Sequence, residues 1–296
     1  MLQRFLDPAT LASISSLDLV AKTVVDGFVA GLHRSPDFGF SQEFAEYRAY
    51  AEGDDLRHVD WNVFARTDRC FLKRYKGETN SQLLILLDTS ASMGFSSASV
   101  TKLDYARFVA ASLCYMANTQ RDAAGLIVFD DEVRAYVPPS TRSGQLQRLL
   151  GAIEAAEPRS RTSFAAPLEH FRGLVRRRGI VVVLSDFYDE PRSIIRAVEP
   201  LRFHGNEVAL FHILDPQEIR PRLEGGSAVL VDLETRARME VSAQYVGRDY
   251  RARLDRHLDA LRDGARGAGI GYHLWVTDQP LDGVLREYLT LRQGRD

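Results

Sequence analysis

Asp88-Thr89-Ser90-Ala91-Ser92 follows directly on the apolar run Gln82–Leu87. In an extended chain, residues two apart project to the same side. One carboxylate and two hydroxyls can therefore converge on a point. An all-oxygen set of this kind suits a hard dication, Mg²⁺ or Mn²⁺, that keeps part of its water shell. A second acid, Asp186, follows the apolar run Ile180–Leu184 within Leu184-Ser185-Asp186-Phe187. A third contribution is available from Ser160-Arg161-Thr162-Ser163, a polar loop ahead of a helix expected from Phe164 to Arg177. Taken singly, each piece has a plainer reading. An Asp, Ser or Thr at a strand-to-helix junction caps the helix, and Thr162 or Ser163 alone reads that way. The metal reading rests on the conjunction of three polar clusters at one edge of one sheet.

That edge requires a particular scaffold. The runs Gln82–Leu87, Ala124–Phe129, Ile180–Leu184, Glu207–Ile213 and Gly271–Val276 read as strands. The first and third are too continuously apolar for an exposed hairpin and suit strands covered on both faces. Val133–Val137 reads as a further strand after a turn at Asp130-Asp131. Helical spacing is found over Ser16–His33, Lys102–Asn118, Gln145–Glu154, Phe164–Arg177, Pro191–Arg202, Gln244–Gly267 and Leu281–Leu291. Ala228–Asp232 and Arg238–Val241 read as a hairpin. Strands alternating with helices imply right-handed crossovers, and hence an α/β fold with a doubly wound, mostly parallel sheet. Ligands of such sheets sit outside the carboxyl ends of the strands, where Asp88 and Asp186 fall. Before residue 80 the chain is irregular and polar, with Phe71–Tyr75 as a short strand. The expected division is 1–80, an N-terminal helix and an irregular segment, and 81–296, the α/β domain with a C-terminal β-hairpin insertion.

The composition narrows the classes of function. The chain has 296 residues, 45% hydrophobic and 26% charged, with 38 Lys+Arg against 40 Asp+Glu for a net charge of -2. That balance gives no footprint for nucleic acid and no polybasic membrane surface. Apolar runs of about five residues fall far short of the roughly twenty that a spanning helix needs, so no integral membrane segment is expected. Met1–Thr10 has no basic region followed by an apolar run, and no signal peptide is read there. The two cysteines, Cys70 and Cys114, form no CxxC, and a reducing cytoplasm is the expected compartment. There is no HExxH for a zinc enzyme, and neither GxGxxG nor GxxxxGK[ST] for a nucleotide. Arg176-Arg177-Arg178 reads as cations offsetting a helix C-terminus. The mixed charges of Gln244–Gly267 mark a solvated face.

Leu86-Leu87-Asp88-Thr89-Ser90-Ala91-Ser92-Met93 resembles the metal-ion-dependent adhesion site of von Willebrand factor A domains. Asp88, Ser90 and Ser92 match its first motif, Thr162 its threonine and Asp186 its later aspartate. Arg161 stands where a Gly usually precedes that threonine, and Ser160 or Ser163 could substitute for Thr162. Glu43–Tyr50, then Gly53-Asp54-Asp55-Leu56-Arg57-His58-Val59-Asp60-Trp61 with Ala65-Arg66, is similar to the hallmark of the bacterial family catalogued as domain of unknown function 58. Lys102-Leu103-Asp104-Tyr105-Ala106 and Gly179–Asp186 also fit that family.

The resemblance implies a von Willebrand factor A-like, Rossmann-like domain that works without turnover. It implies a divalent ion at Asp88, Ser90, Ser92, Thr162 and Asp186, with one position completed by an acidic side chain of a protein ligand. Asp88 would be the charged anchor, Ser90 and Ser92 neutral ligands, Thr162 a ligand that engages with conformation, and Asp186 a water-mediated acid. Members are typically encoded beside MoxR-type AAA+ ATPases, which implies such an ATPase as partner in assembling protein complexes.

Two other classes compete. A Mg²⁺-dependent phosphoesterase could use Asp88 and Asp186, although phosphatases of the haloacid dehalogenase type need a second acid where Ser90 stands. A scaffold with a vestigial site is the other. The cluster Asp54–Arg66 reads either as a partner contact or as a polar loop pinned by Trp61 and internal ion pairs.

Overall fold

Burial, more than helix or strand propensity, fixes the elements that carry the site. The computed structural model describes residues 7–32, 44–49, 63, 71–75, 82–159, 167, 178–202, 205–221, 227–231, 233, 237–242 and 246–293. The described elements begin with α1 (Pro8–Leu11), α2 (Leu17–Leu32) and two strands, β1 (Phe44–Ala49) and β2 (Phe71–Tyr75). Next come β3 (Gln82–Asp88), α3 (Lys102–Thr119), β4 (Ala123–Phe129), β5 (Val133–Ser140) and α4 (Gln145–Glu154). They are followed by β6 (Gly179–Ser185), α5 (Pro191–Val198), β7 (Glu207–Leu214) and the single turn α6 (Pro216–Ile219). The chain continues through β8 (Ser227–Val231), β9 (Arg238–Ser242), α7 (Arg251–Gly267), β10 (Gly271–Val276) and α8 (Asp282–Gln293).

Six strands form one sheet in the order β10-β7-β6-β3-β4-β5. All neighbours are parallel except the β4–β5 pair. Every residue of β3 and β6 is buried, as expected of strands covered on both faces. Leu84, Leu86, Val181 and Val183 point to one face, where they join Ile194 and Val198 of α5 with Leu261 and Ala265 of α7 in a single core cluster. Helix α3 packs over β3 and β4. Its inward residues Tyr105, Phe108, Val109, Leu113 and Met116 are all buried. The fold is thus α/β, with a mostly parallel sheet flanked by helices.

From β3 the chain moves to β4 and β5, then crosses back to β6 on the other side of β3. The order therefore reverses at the β3–β6 pair. A crevice opens outside the carboxyl ends of two parallel strands at such a point, because their following connections leave in opposite directions. Leu87 is paired with Leu184, so the register brings the Asp88 and Ser185-Asp186 ends together at that crevice.

The β3–β6 contact tolerates no side chain at one position. A Cβ on Gly179 would press on the carbonyl oxygen of Gln82 and lie 2.9 Å from the Gln82 Cβ. Gly179→Ala is expected to destabilise the chain by about 1–3 kcal/mol through this overpacking. Urea denaturation checks it, and an unchanged midpoint would contradict it.

The chain forms two compact units, residues 1–29 with 81–296, and residues 30–80. In the second, β1 and β2 pair antiparallel. The hairpin expected near residue 230 is present as β8 and β9, antiparallel. Two expected helices differ at their ends. The Pro191 helix tightens into a 3₁₀ turn at Glu199–Arg202, because Pro200 cannot donate the next helical hydrogen bond. The Gln244 helix is described as a π turn at Val246–Tyr250 that runs into α7. Apart from Val63 and Pro167, the expected helix Phe164–Arg177 and the Asp54–Arg66 cluster lie outside the described residues. No described helix is long and apolar enough to cross a membrane.

Candidate metal centre

Asp88 ends β3 fully buried. One carboxylate oxygen accepts the backbone N–H of Ser90 at 2.8 Å. The other accepts the hydroxyl of Ser185 at 2.6 Å. The first contact turns the chain so that the Ser90 and Ser92 hydroxyls lie 3.0 Å apart. Ser90 is buried and Ser92 half-buried, the latter in a 3₁₀ turn at Ala91–Gly94. The loop is pinned from the neighbouring strand, since the N–H and hydroxyl of Thr89 both donate to the Phe129 carbonyl, at 2.8 and 3.0 Å. Asp88, Ser90 and Ser92 are therefore gathered by a turn rather than by the extended-chain alternation expected from their spacing.

Asp186 is also buried, 1% exposed. Burial first and the Asp186 charge second push the Asp88 carboxyl up to about 7, against the opposing pull of the Ser185 and Ser90 hydrogen bonds. Thr162 lies outside the described residues. The chain leading toward it passes the site at Arg159, whose N–H donates to the Thr89 carbonyl at 2.9 Å.

The most consequential group is not among the candidates from sequence. Lys102, the first residue of α3, is fully buried. Its ammonium donates to Asp186 Oδ2 at 2.7 Å and to Glu218 Oε1 at 2.6 Å. It also lies 4.9 Å from the ring centre of Tyr188. Burial alone would push the Lys102 ammonium down, but the two carboxylates outweigh it and hold it above the ordinary lysine value. Glu218 is fixed in turn by a capping box with Asp215, accepting the Asp215 N–H at 2.7 Å. A cation at a helix start opposes the helix dipole, and this anomaly at Lys102 is the signal that sequence alone offers. Ser185 is legible too, as the hydroxyl one residue before Asp186.

Phe187, next to Asp186, sits at φ 47, a conformation an aromatic residue rarely adopts. Its N–H donates to the Ser185 hydroxyl at 3.0 Å, and its carbonyl lies 2.8 Å from His257 Nε2. These contacts fix the turn that presents Asp186. Beside it, His212 on β7 is fully buried, and burial, His257 and Lys102 together push it down to about 3, so it is a neutral ring.

The donor set fits a hard dication. It has two buried carboxylates, one close enough to raise the proton affinity of the other, and a pair of adjacent hydroxyls. Among the described residues no three His, Cys, Asp or Glu side chains form a metal-holding group, so the fit rests on hydroxyls as much as on acids. Ser185→Ala removes a donor that favours the ionised form of Asp88. The Asp88 titration is expected to move upward by about one pH unit, readable by carboxyl ¹³C NMR. An unmoved midpoint would contradict that role.

The model of the family described as Protein of unknown function DUF58 matches residues 46–260. Uncharacterized protein Rv1480 of Mycobacterium tuberculosis (strain ATCC 25618 / H37Rv) is 30% identical, over 97% of this chain and 92% of its own length. Among solved structures, the conserved hypothetical protein BatB from Bacteroides thetaiotaomicron aligns over 72% of this chain and 99% of its own, with 13% identity and a TM-score of 0.47. The SpRpn10 VWA domain aligns over 70% of this chain and 94% of its own, with 13% identity and a TM-score of 0.41.

Proposed function

The chain belongs to the DUF58 family, and from that premise we propose that it is a non-enzymatic, metal-dependent protein-interaction module of the cytoplasm. The reading is that Asp88, Ser90 and Ser92 hold Mg²⁺ or Mn²⁺, with Thr162 and Asp186 completing the set. An acidic side chain of a protein ligand is captured at the open position. A MoxR-type AAA+ ATPase is the proposed partner, in the assembly or maturation of protein complexes.

One observation carries this reading. A fully buried carboxylate, Asp88, stands beside a second buried carboxylate and two adjacent hydroxyls at the switch point of the sheet. Lys102 supplies positive charge at Asp186, but among the described residues Asp88 has hydrogen-bond donors only, and a buried carboxylate is costly to ionise without a cation. A bound dication would supply that charge and an unsaturated coordination shell that attracts a partner carboxylate. The chain's own residues do the rest. The Ser90 N–H and Ser185 hydroxyl keep Asp88 oriented, and the Thr89 contacts with Phe129 hold the loop against β4.

Binding to the MoxR-type ATPase of the same genome, measured in Mg²⁺ and again in EDTA, tests the proposal. The expected result is retention in Mg²⁺, loss in EDTA and loss in Asp88→Ala. Retention unaffected by EDTA would favour the scaffold with a vestigial site. Phosphatase or esterase turnover that disappears in Asp88→Asn would favour the hydrolase instead.

A further inference from the structure

We propose that Lys102 is a tethered cation that competes with the divalent ion for Asp186, and that Glu218 is the site to which its ammonium withdraws when metal is bound. The inference rests on the metal reading above and adds its regulation. Three observations carry it. First, the Lys102 ammonium is already shared between the two carboxylates, at 2.7 Å from Asp186 and 2.6 Å from Glu218. A lysine side chain can move its charge between two acceptors through small rotations of a flexible stem. Second, the two acids have different roles in the fold. Asp186 follows β6 at the crevice beside Asp88, while Glu218 belongs to the capped turn α6 beyond β7. Glu218 is held there by the Asp215 N–H, and Asp215 is tied to the loop after the motif by Ser97, whose N–H donates at 2.8 Å. Third, the ammonium has support that does not involve Asp186, from the Glu218 carboxylate and the faces of Tyr188 and Phe95 at 4.9 and 5.8 Å. Withdrawal therefore leaves the cation paired rather than stranded in the interior.

The consequence is a centre with a built-in competitor. While Lys102 neutralises Asp186, a dication meets one fully available carboxylate, Asp88. When Lys102 leans on Glu218, it meets two. The position of α6 relative to α3 thus sets metal affinity. Because α6 is bound to Ser97 in the loop after the motif, movement of that loop would be read out as metal gain or loss.

Calorimetric titration with Mg²⁺ and with Mn²⁺ tests this on the full chain. The variants are Glu218→Gln and the double substitution Lys102→Met with Glu218→Gln. The double variant removes one charge of each sign and so leaves the balance of the interior unchanged. Circular dichroism confirms that each variant is folded. The double variant is expected to bind metal about tenfold or more tightly than the natural chain, since a neighbouring positive charge is gone. Glu218→Gln alone is expected to bind more weakly by several-fold, because among the described residues the ammonium is left with the Asp186 carboxylate. Measurable binding by the natural chain with no gain in the double variant would overturn this inference and leave the metal reading intact. No binding by any of the three would overturn both.

Discussion

A Lys102→Met chain is expected to lose about 3–5 kcal/mol of stability in the absence of divalent ions, the usual consequence of deleting one partner of a buried charge pair. The methionine fills much the same space, so lost packing contributes little. What remains is Asp186, 1% exposed, and Glu218 with its side chain 14% exposed, both without the cation they share. Urea denaturation in EDTA reads the loss directly. Two restorations are expected: Glu218→Gln in the same chain recovers part of it, and so does Mg²⁺ or Mn²⁺. A loss below about 1 kcal/mol, the scale of an exposed pair, would contradict the account.

Asp88→Asn is expected to act in the opposite direction on the metal-free chain. The folded protein raises the Asp88 pKa from the ordinary 3.8 to about 7, chiefly by burial and then by the Asp186 charge. A raised carboxyl binds its proton more tightly in the folded state than in the unfolded one. Its contribution is thus fully present below the unfolded value and is lost as pH rises through the folded value. The metal-free chain should lose stability between about pH 4 and pH 7, by up to about 4 kcal/mol from this group. The neutral amide carries no such penalty, so the variant should melt higher than the natural chain above pH 7 and show a flatter pH profile. It should also gain nothing from added Mg²⁺, whereas the natural chain should gain most at high pH, where no proton competes for Asp88. Thermal melts from pH 4 to pH 8, with and without metal, check all three expectations. Parallel pH profiles for the two chains would contradict them.

The sheet is legible in the sequence because its strands are buried on both faces. Gln82–Leu87 and Ile180–Leu184 are continuous apolar runs, and such runs have few homes outside a parallel sheet. Their ends then place Asp88 and Asp186 at one edge, while Ser90 and Ser92 meet through a 3₁₀ turn that the expected extended alternation does not describe. β1 has no such signature, since Phe44–Ala49 mixes polar and apolar residues without a clean period. The centre's own lysine and glutamate are harder to see. Lys102 and Glu218 are 116 residues apart in the chain and meet only because α3 and α6 both start at the carboxyl edge. Glu218 alone reads as an ordinary acid near a helix start, and Lys102 stands out only as a cation set against the helix dipole. Their burial and pairing are properties of the packed crevice, which no local pattern encodes.

Anomalous diffraction from a crystal soaked in manganese chloride shows where, and whether, the ion binds. A single strong manganese peak is expected within coordination distance of the Asp88 carboxylate and the Ser90 and Ser92 hydroxyls, absent from crystals of Asp88→Ala. A manganese-saturated crystal with no peak beside those three side chains would contradict the metal reading.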